Sequence, residues 1–258
     1  NRNVYITENV NPAKIIVDIS SGNPYIFEGN AIYGNLELIK LGIEPLRFNN
    51  LNLFQGSISI LGGTILFNNS AGLQGGNLNI FVNENSYIGG IGKIYGNVYL
   101  NDYAYIIPGN LSIGTMQIYG SLYFSKNSYY MCELNSSYSL NDKIVVNGNV
   151  LLNGVLYVYK LDTFSYKLND NYKIFDATNI SGKFRLIIPS KPSSNMIWDT
   201  TDFCTNGTLK VVSLNSMLQK NLYDLSIYPN PLNNVLNIKI DNYYDKVEIK
   251  VVDISGKI

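Results

Sequence analysis

Apolar and polar residues alternate in short runs along most of the chain, and the runs restart on glycine. A Gly-polar-apolar-polar-apolar phrase occurs at Gly34–Leu38 (GNLEL), Gly56–Ile60 (GSISI), Gly76–Ile80 (GNLNI) and Gly96–Leu100 (GNVYL). It returns at Gly120–Phe124 (GSLYF) and Gly148–Leu152 (GNVLL), with successive glycines 22, 20, 20, 24 and 28 residues apart. Period-two alternation marks a strand with one buried face. Leu36 and Leu38, Ile58 and Ile60, Leu78 and Ile80, and Val98 and Leu100 are therefore expected to share an inward face. A glycine ahead of each strand suits a corner that needs positive φ. Asn and Ser beside it suit turns, and stacked Asn side chains can hydrogen-bond from coil to coil. No 3.6-residue apolar period is sustained. A repeat of roughly 20 to 50 residues marks a solenoid or a similar array. The pattern predicts an all-β parallel β-helix, because hairpin strands of a sandwich would not restart on one corner phrase. Such a coil is stabilised by neighbour-on-neighbour burial and needs a cap at its end.

The phrase fades after residue 212. We expect a β-helical domain over 1–212, a linker over 213–222 (SLNSMLQKNL) and a small module over 223–258. In the module, Leu225–Pro231 (LSIYPNP) sets two prolines around one Asn, a stiff extended turn. Val235–Ile240 (VLNIKI) and Val247–Lys257 (VEIKVVDISGK) alternate as strands. No apolar run reaches the roughly 20 residues of a membrane-spanning helix. The sequence opens mid-pattern at Asn1 without a signal peptide, which reads as a fragment whose export signal lay upstream.

Composition narrows the chemistry. The 258 residues carry 19 basic and 19 acidic side chains, a formal net charge of zero, and no histidine. Without a basic excess, nucleic acid is not an expected partner. Without histidine, Ser–His and Cys–His nucleophiles and histidine-bearing zinc sites are excluded. Neither a cofactor nor a metal site is expected, since no calcium loop or cysteine ligand spacing occurs. Cys132 and Cys204 read either as unpaired thiols or as a bridge, because their separation is not legible. Gly89-Gly90-Ile91-Gly92 lacks the helix and Lys-Ser/Thr pair of a phosphate loop; it is expected to turn a corner.

Few residues suggest chemistry. Asp199 and Asp202 are close in sequence, but glycosidic acid–base work needs carboxyls set across a cleft, and a turn-forming role is expected. No catalytic residue is assigned. The 21 tyrosines concentrate between Tyr87 and Tyr130. Tyr95, Tyr99, Tyr103, Tyr105, Tyr119 and Tyr123 fall in or beside strands, as stacked ladders or as a groove gripping polysaccharide. Trp198, the single tryptophan, is expected to cover the last coil, with a sugar-stacking platform as the alternative. Tyr95, Tyr99, Tyr119, Tyr123 and Trp198 are thus the candidate carbohydrate contacts.

Two resemblances add to this reading. The stretch IIPGNLSIGTMQIYG ending at Gly120 resembles the autotransporter-associated β-strand repeat. The succession continues through Asn141–Val150, Gly154–Val158, Tyr172–Phe184 and Ile197–Val211 (IWDTTDFCTNGTLKV), over roughly residues 100 to 212. The resemblance implies a right-handed β-helical passenger on a bacterial surface, of the kind that is adhesive or uncharacterised. Tyr228, Pro229, Asn230 and Pro231, with Asp253 ahead of Gly256 and Lys257, resemble the type A sorting domain of type IX secretion in Bacteroidetes. That implies a partial Ig-like β-sandwich read by the type IX secretion machinery, and a secreted or outer-membrane surface-attached protein.

The leading expectation is a non-enzymatic surface protein, adhesive or matrix-forming, with polysaccharide or a host or matrix surface as partner. A polysaccharide lyase or glycosidase on the same scaffold is the alternative. Arg2, Arg47 and Arg185 lie far apart in sequence, which weakens the lyase. A passive stalk for an upstream domain is the third reading.

Overall fold

The computed structural model describes the chain except residues 1, 110–111, 136–139, 162, 215–224, 229–236 and 241–258, and gives only the backbone of 225–228 and 237–240. The chain divides into two compact units, Asn1–Val212 and Ser213–Ile258.

In the first unit the alternation produces parallel rungs. Nine strands lie side by side in chain order, each separated from the next by the rest of one coil: Arg2–Ile6, Tyr25–Gly29, Leu46–Phe48, Gly63–Phe67, Ser86–Gly90, Tyr105–Pro108, Tyr129–Leu134, Val155–Lys160 and Leu186–Ile188. We call this sheet the first face. The larger sheet covers two more faces, because its long strands Ile32–Leu41, Asn52–Ile60, Lys143–Leu152 and Phe175–Gly182 bend at a corner. On the second face Ser70–Ala71, Lys93–Ile94 and Thr115–Ile118 stack in parallel, ending on Lys143–Val146. On the third face Leu78–Val82, Gly96–Leu100 and Leu122–Phe124 stack in parallel beneath Val150 and Leu151. The described residues are almost all β, in curled parallel sheets compatible with a β-helix.

The expected inward pairs are all buried, none more than 2 % exposed. They form columns that run from coil to coil, and the inner column of the first face joins Leu46, Ile65, Ile88, Ile106, Tyr130 and Leu156. Burying one such aliphatic side chain stabilises the fold by about 1.5–3 kcal/mol.

The phrase glycines do stand at the corner between the second and third faces, but for two different reasons. Gly34 and Gly56 have φ of 91° and 104°, as a left-handed corner requires. Gly120 and Gly148 have no positive φ; a Cβ there would sit 2.4 Å from the carbonyl oxygen of Gly96 and 2.5 Å from that of Gly120. Close stacking of corners on corners, not backbone handedness, excludes a side chain at those two rungs.

One inward position breaks the apolar rule. Lys40 lies in a column between Val17 and Ile60 and is fully buried. Its Nζ donates to the carbonyl oxygens of Leu41 (2.6 Å), Gly42 (2.8 Å) and Gly62 (3.1 Å), stapling the turn of one coil to the next. Burial lowers its pKa to about 8, against the raising influence of Asp18 and Glu44.

The coil ends on a short three-stranded sheet in which Thr208–Ser213 lies between Asn171–Lys173, its antiparallel partner, and Met196–Asp199. Trp198 is 7 % exposed, packs edge-on against Tyr166 at 5.2 Å, and donates from Nε1 to the Pro189 carbonyl at 2.8 Å. Phe175, Phe184 and Phe203 cluster nearby, and the buried residues form one continuous core with Trp198.

Both cysteines are free, Cys132 buried and Cys204 exposed, so the bridged alternative is ruled out. In the second unit, Leu225–Tyr228 pairs antiparallel with Asn237–Ile240. Pro229, Asn230, Pro231, Asp253, Gly256 and Lys257 lie outside the described residues, as does the expected linker from residue 215 onward; Ser213 itself ends a strand.

Candidate functional site

The outward positions of the third face align as rows, because parallel in-register pairing puts like positions of successive coils side by side. Phe81, Tyr99 and Tyr123 form one row, with rings stacked at 5.1 Å and 4.8 Å and tilted by only 14° and 5°. Exposed Leu151 continues it.

Two residues earlier on each strand runs a polar row. Asn97 Nδ2 donates to Asn79 Oδ1 (3.1 Å), the Ser121 N–H to Asn97 Oδ1 (2.9 Å), the Asn149 N–H to Ser121 Oγ (3.1 Å), and Asn179 Nδ2 to Asn149 Oδ1 (3.0 Å). The expected coil-to-coil Asn bonding is present here. Two residues later, Asn101 Nδ2 donates to Asn83 Oδ1 at 2.8 Å. At the corner before the polar row, Tyr95 stacks on Tyr119 at 4.4 Å, and Tyr119 is 37 % exposed. Aromatic and amide rows thus alternate across this face, with the ring row two residues along the strand, about 6.6 Å, from the hydrogen-bonding groups.

The structure therefore brings Tyr95, Tyr99, Tyr119 and Tyr123 together on one side of the coil. It removes Trp198 from the set: an indole with 7 % exposure and a satisfied N–H offers no face to a sugar. Tyr103 joins no ladder; it sits in a turn at φ 60° and is 46 % exposed. Asp199 turns the chain, its Oδ1 accepting from the Thr201 N–H (3.0 Å) and Oγ1 (2.7 Å).

The first face carries features that sequence reasoning met only in Tyr105. Tyr87, Tyr105 and Tyr129 form a third ladder, at 4.5 Å and 4.8 Å. Burial, with Tyr87 and Tyr129 close by, pushes the Tyr105 hydroxyl pKa up. Their separations are 18 and 24 residues, and only the second equals a spacing of the phrase glycines.

Beside that ladder lies a groove of about 350 Å³ with an apolar floor including Leu66, Ile107 and Met131. The floor row passes through Gly89, where a Cβ would come within 3.0 Å of both the Ile107 and Leu66 side chains. Gly89 therefore sits within the strand, and the corner follows at Gly90, whose φ is 107°. Arg47 lines one end, and Glu133, Asp142 and Tyr159 line the other. Asp142 is 1 % exposed, its Oδ1 accepting from the Gly114 N–H (2.8 Å) and its Oδ2 from the Glu133 N–H (3.0 Å). Burial outweighs those two bonds and lifts its pKa to about 7. Burial raises Glu133 as well. No group of three or more metal-ligating side chains occurs among the described residues.

Residues 226–258 match the family model of the secretion system C-terminal sorting domain. The autotransporter-associated repeat is not matched by a family model, and comparison with curated proteins gives no match. The sorting domain assigns the protein to the type IX export route of Bacteroidetes, and so to the secreted or surface-attached proteins that interact with that machinery. Among the described residues no helix is long and apolar enough to cross a membrane.

Proposed function

We propose that the first unit is a right-handed parallel β-helix, a type IX cargo that adheres to polysaccharide outside the cell through its third face. The observation that carries this is the alternation of stacked aromatic rows with amide rows. Sugar rings present apolar C–H faces and hydroxyl edges, and a row of stacked aromatic rings beside fixed amides answers both. Over three successive rungs, at Phe81, Tyr99 and Tyr123, one extended polymer meets a ring and a polar group at each. Adhesion by many weak, equivalent contacts follows from multivalency.

The test is retention of the 258-residue chain on a panel of insoluble polysaccharides. Replacing two ladder rings, Tyr99→Ala with Tyr123→Ala, is expected to weaken retention about tenfold, at about 0.7 kcal/mol per ring. Equal retention of the double variant on every polymer that holds the parent would defeat the reading.

A glycosidase or lyase is the rival, favoured by the two carboxyls beside the first-face groove. Measuring newly released chain ends on the same polymers separates the two, since adhesion releases none. Against the rival, both Asp142 oxygens accept backbone N–H bonds. A stalk, the third reading, predicts no retention at all.

A further inference from the structure

The groove on the first face has polar atoms that the fold leaves without a mate. Arg47 sits in the floor row between Ile26 and Leu66, which are 7 % and 3 % exposed. Its Nε is buried and makes no hydrogen bond, and Glu133 Oε2 at the far end is likewise buried without a hydrogen-bond partner. Among the described residues, the ion pairs are Lys14–Glu37 and Lys173–Asp176, neither involving these two. A buried donor or acceptor left unmade is destabilising, more so when charged, and native structures seldom retain one without a use. Arg47 and Glu133 stand four strands apart in the sheet order, a run of about 19 Å at the usual spacing. The site is therefore a long trough with a cation at one end, an acceptor at the other and an apolar floor between.

We propose that this trough holds an extended oligosaccharide bearing a carboxylate, with Arg47 taking the carboxylate and Glu133 accepting a hydroxyl. A guanidinium binds a carboxylate through paired N–H donors, and such charge-assisted bonds are about twice as strong as neutral ones. The apolar floor seats the C–H faces of the sugar rings. The Glu133 carboxylate disfavours a ligand anion at the far end, which gives the chain a direction: acidic end at Arg47, neutral end at Glu133. The ligand class rests on the adhesive reading, but the surface is a different one, so the two can fail separately.

The experiment titrates the 258-residue chain with a trigalacturonate and with a neutral trigalactoside, by calorimetry. The acidic trimer is expected to bind at least tenfold tighter than the neutral one, and its affinity to fall with added salt. Arg47→Gln should lose that preference, with Trp198 emission unchanged to show that the coil is intact. Arg47→Lys should keep part of it, and Glu133→Gln should hold the acidic trimer at least as well as the parent. The Tyr99→Ala, Tyr123→Ala variant should bind the acidic trimer normally while losing polymer retention. Equal binding of both trimers, no binding of either, or an undiminished preference in Arg47→Gln would overturn the proposal.

Discussion

Asp142 makes the stability of the coil depend on pH in the direction opposite to that of an ordinary carboxylate. Its pKa rises from 3.8 to about 7 on folding because burial penalises the charged form. Between those values the native state holds a proton that the unfolded state has released, so stability falls as pH rises through the window. Below pH 3.8 both states are protonated, and above about 7 both are ionised, so the curve is flat at either end. The span of roughly three pKa units corresponds to about 4 kcal/mol. Glu133, also raised, adds to the fall with the same sign. Asp176, held below the usual range by its hydrogen bond from Lys173, acts in the opposite sense only as pH drops toward its lowered value, and it is exposed. The assay is urea unfolding from pH 4 to 8, followed by the emission of Trp198, the single tryptophan and a member of the coil's core. Asp142→Asn removes the titration, and its unfolding free energy should vary little across the window. It should also be less stable than the parent at pH 5, since an amide NH₂ must face either the Gly114 or the Glu133 N–H. A parent whose stability climbs between pH 4 and 7, or a variant that keeps the parent's slope, would refute the assignment.

Other perturbations have equally definite outcomes. Lys40→Met leaves the Leu41, Gly42 and Gly62 carbonyls without their shared donor and should cost about 1–3 kcal/mol by urea unfolding. Because the folded pKa of Lys40 is lowered, the parent should gain stability as pH rises from about 8 to 10.5, and the variant should not. Gly120→Ala places a Cβ against the Gly96 carbonyl and should destabilise the coil by about 2 kcal/mol or more, with Ser121→Ala, beside it, costing less. Ile88→Ala, in the middle of the inner column of the first face, should cost about 2–5 kcal/mol and leave polysaccharide retention unchanged where folded protein persists.

The all-β coil was legible because its signal is local and repeated: each GNLEL-like phrase states one corner and one half-buried strand. The same alternation also marked Lys40, which falls on the inward position after Leu36 and Leu38, yet a lysine there reads as a surface residue unless the three carbonyls of the turn are known. Gly34 and Gly120 look identical in the phrase, and only the stacking of coils separates a glycine needed for positive φ from one needed for space. Tyr99 and Tyr123 could be picked as ladder members because they hold the same place in their phrases. Trp198 was expected to cover the last coil and is indeed buried at its end, though the partners that hold it there, Tyr166 and the Pro189 carbonyl, were not legible. Arg47, Glu133 and Asp142 were not legible at all: they share no motif, and about 90 residues separate the first from the others. What joins them is a pairing register accumulated over four strands.

That register also explains why the two outward surfaces can differ while sharing one core. Inward columns must match in volume from coil to coil, so a change there is felt by both neighbours. An outward residue meets only the residue above and below it in its row, and a whole row can be exchanged at small cost to folding. The third face sets a polar residue beside an aromatic one on three successive rungs, Asn79 with Phe81, Asn97 with Tyr99 and Ser121 with Tyr123. The first face varies its row from Arg47 through Leu66, Gly89 and Ile107 to Met131, which makes one site with two distinct ends. On the reading proposed above, repetition of outward rows suits adhesion to a polymer and their variation suits recognition of a particular chain segment, on one common coil.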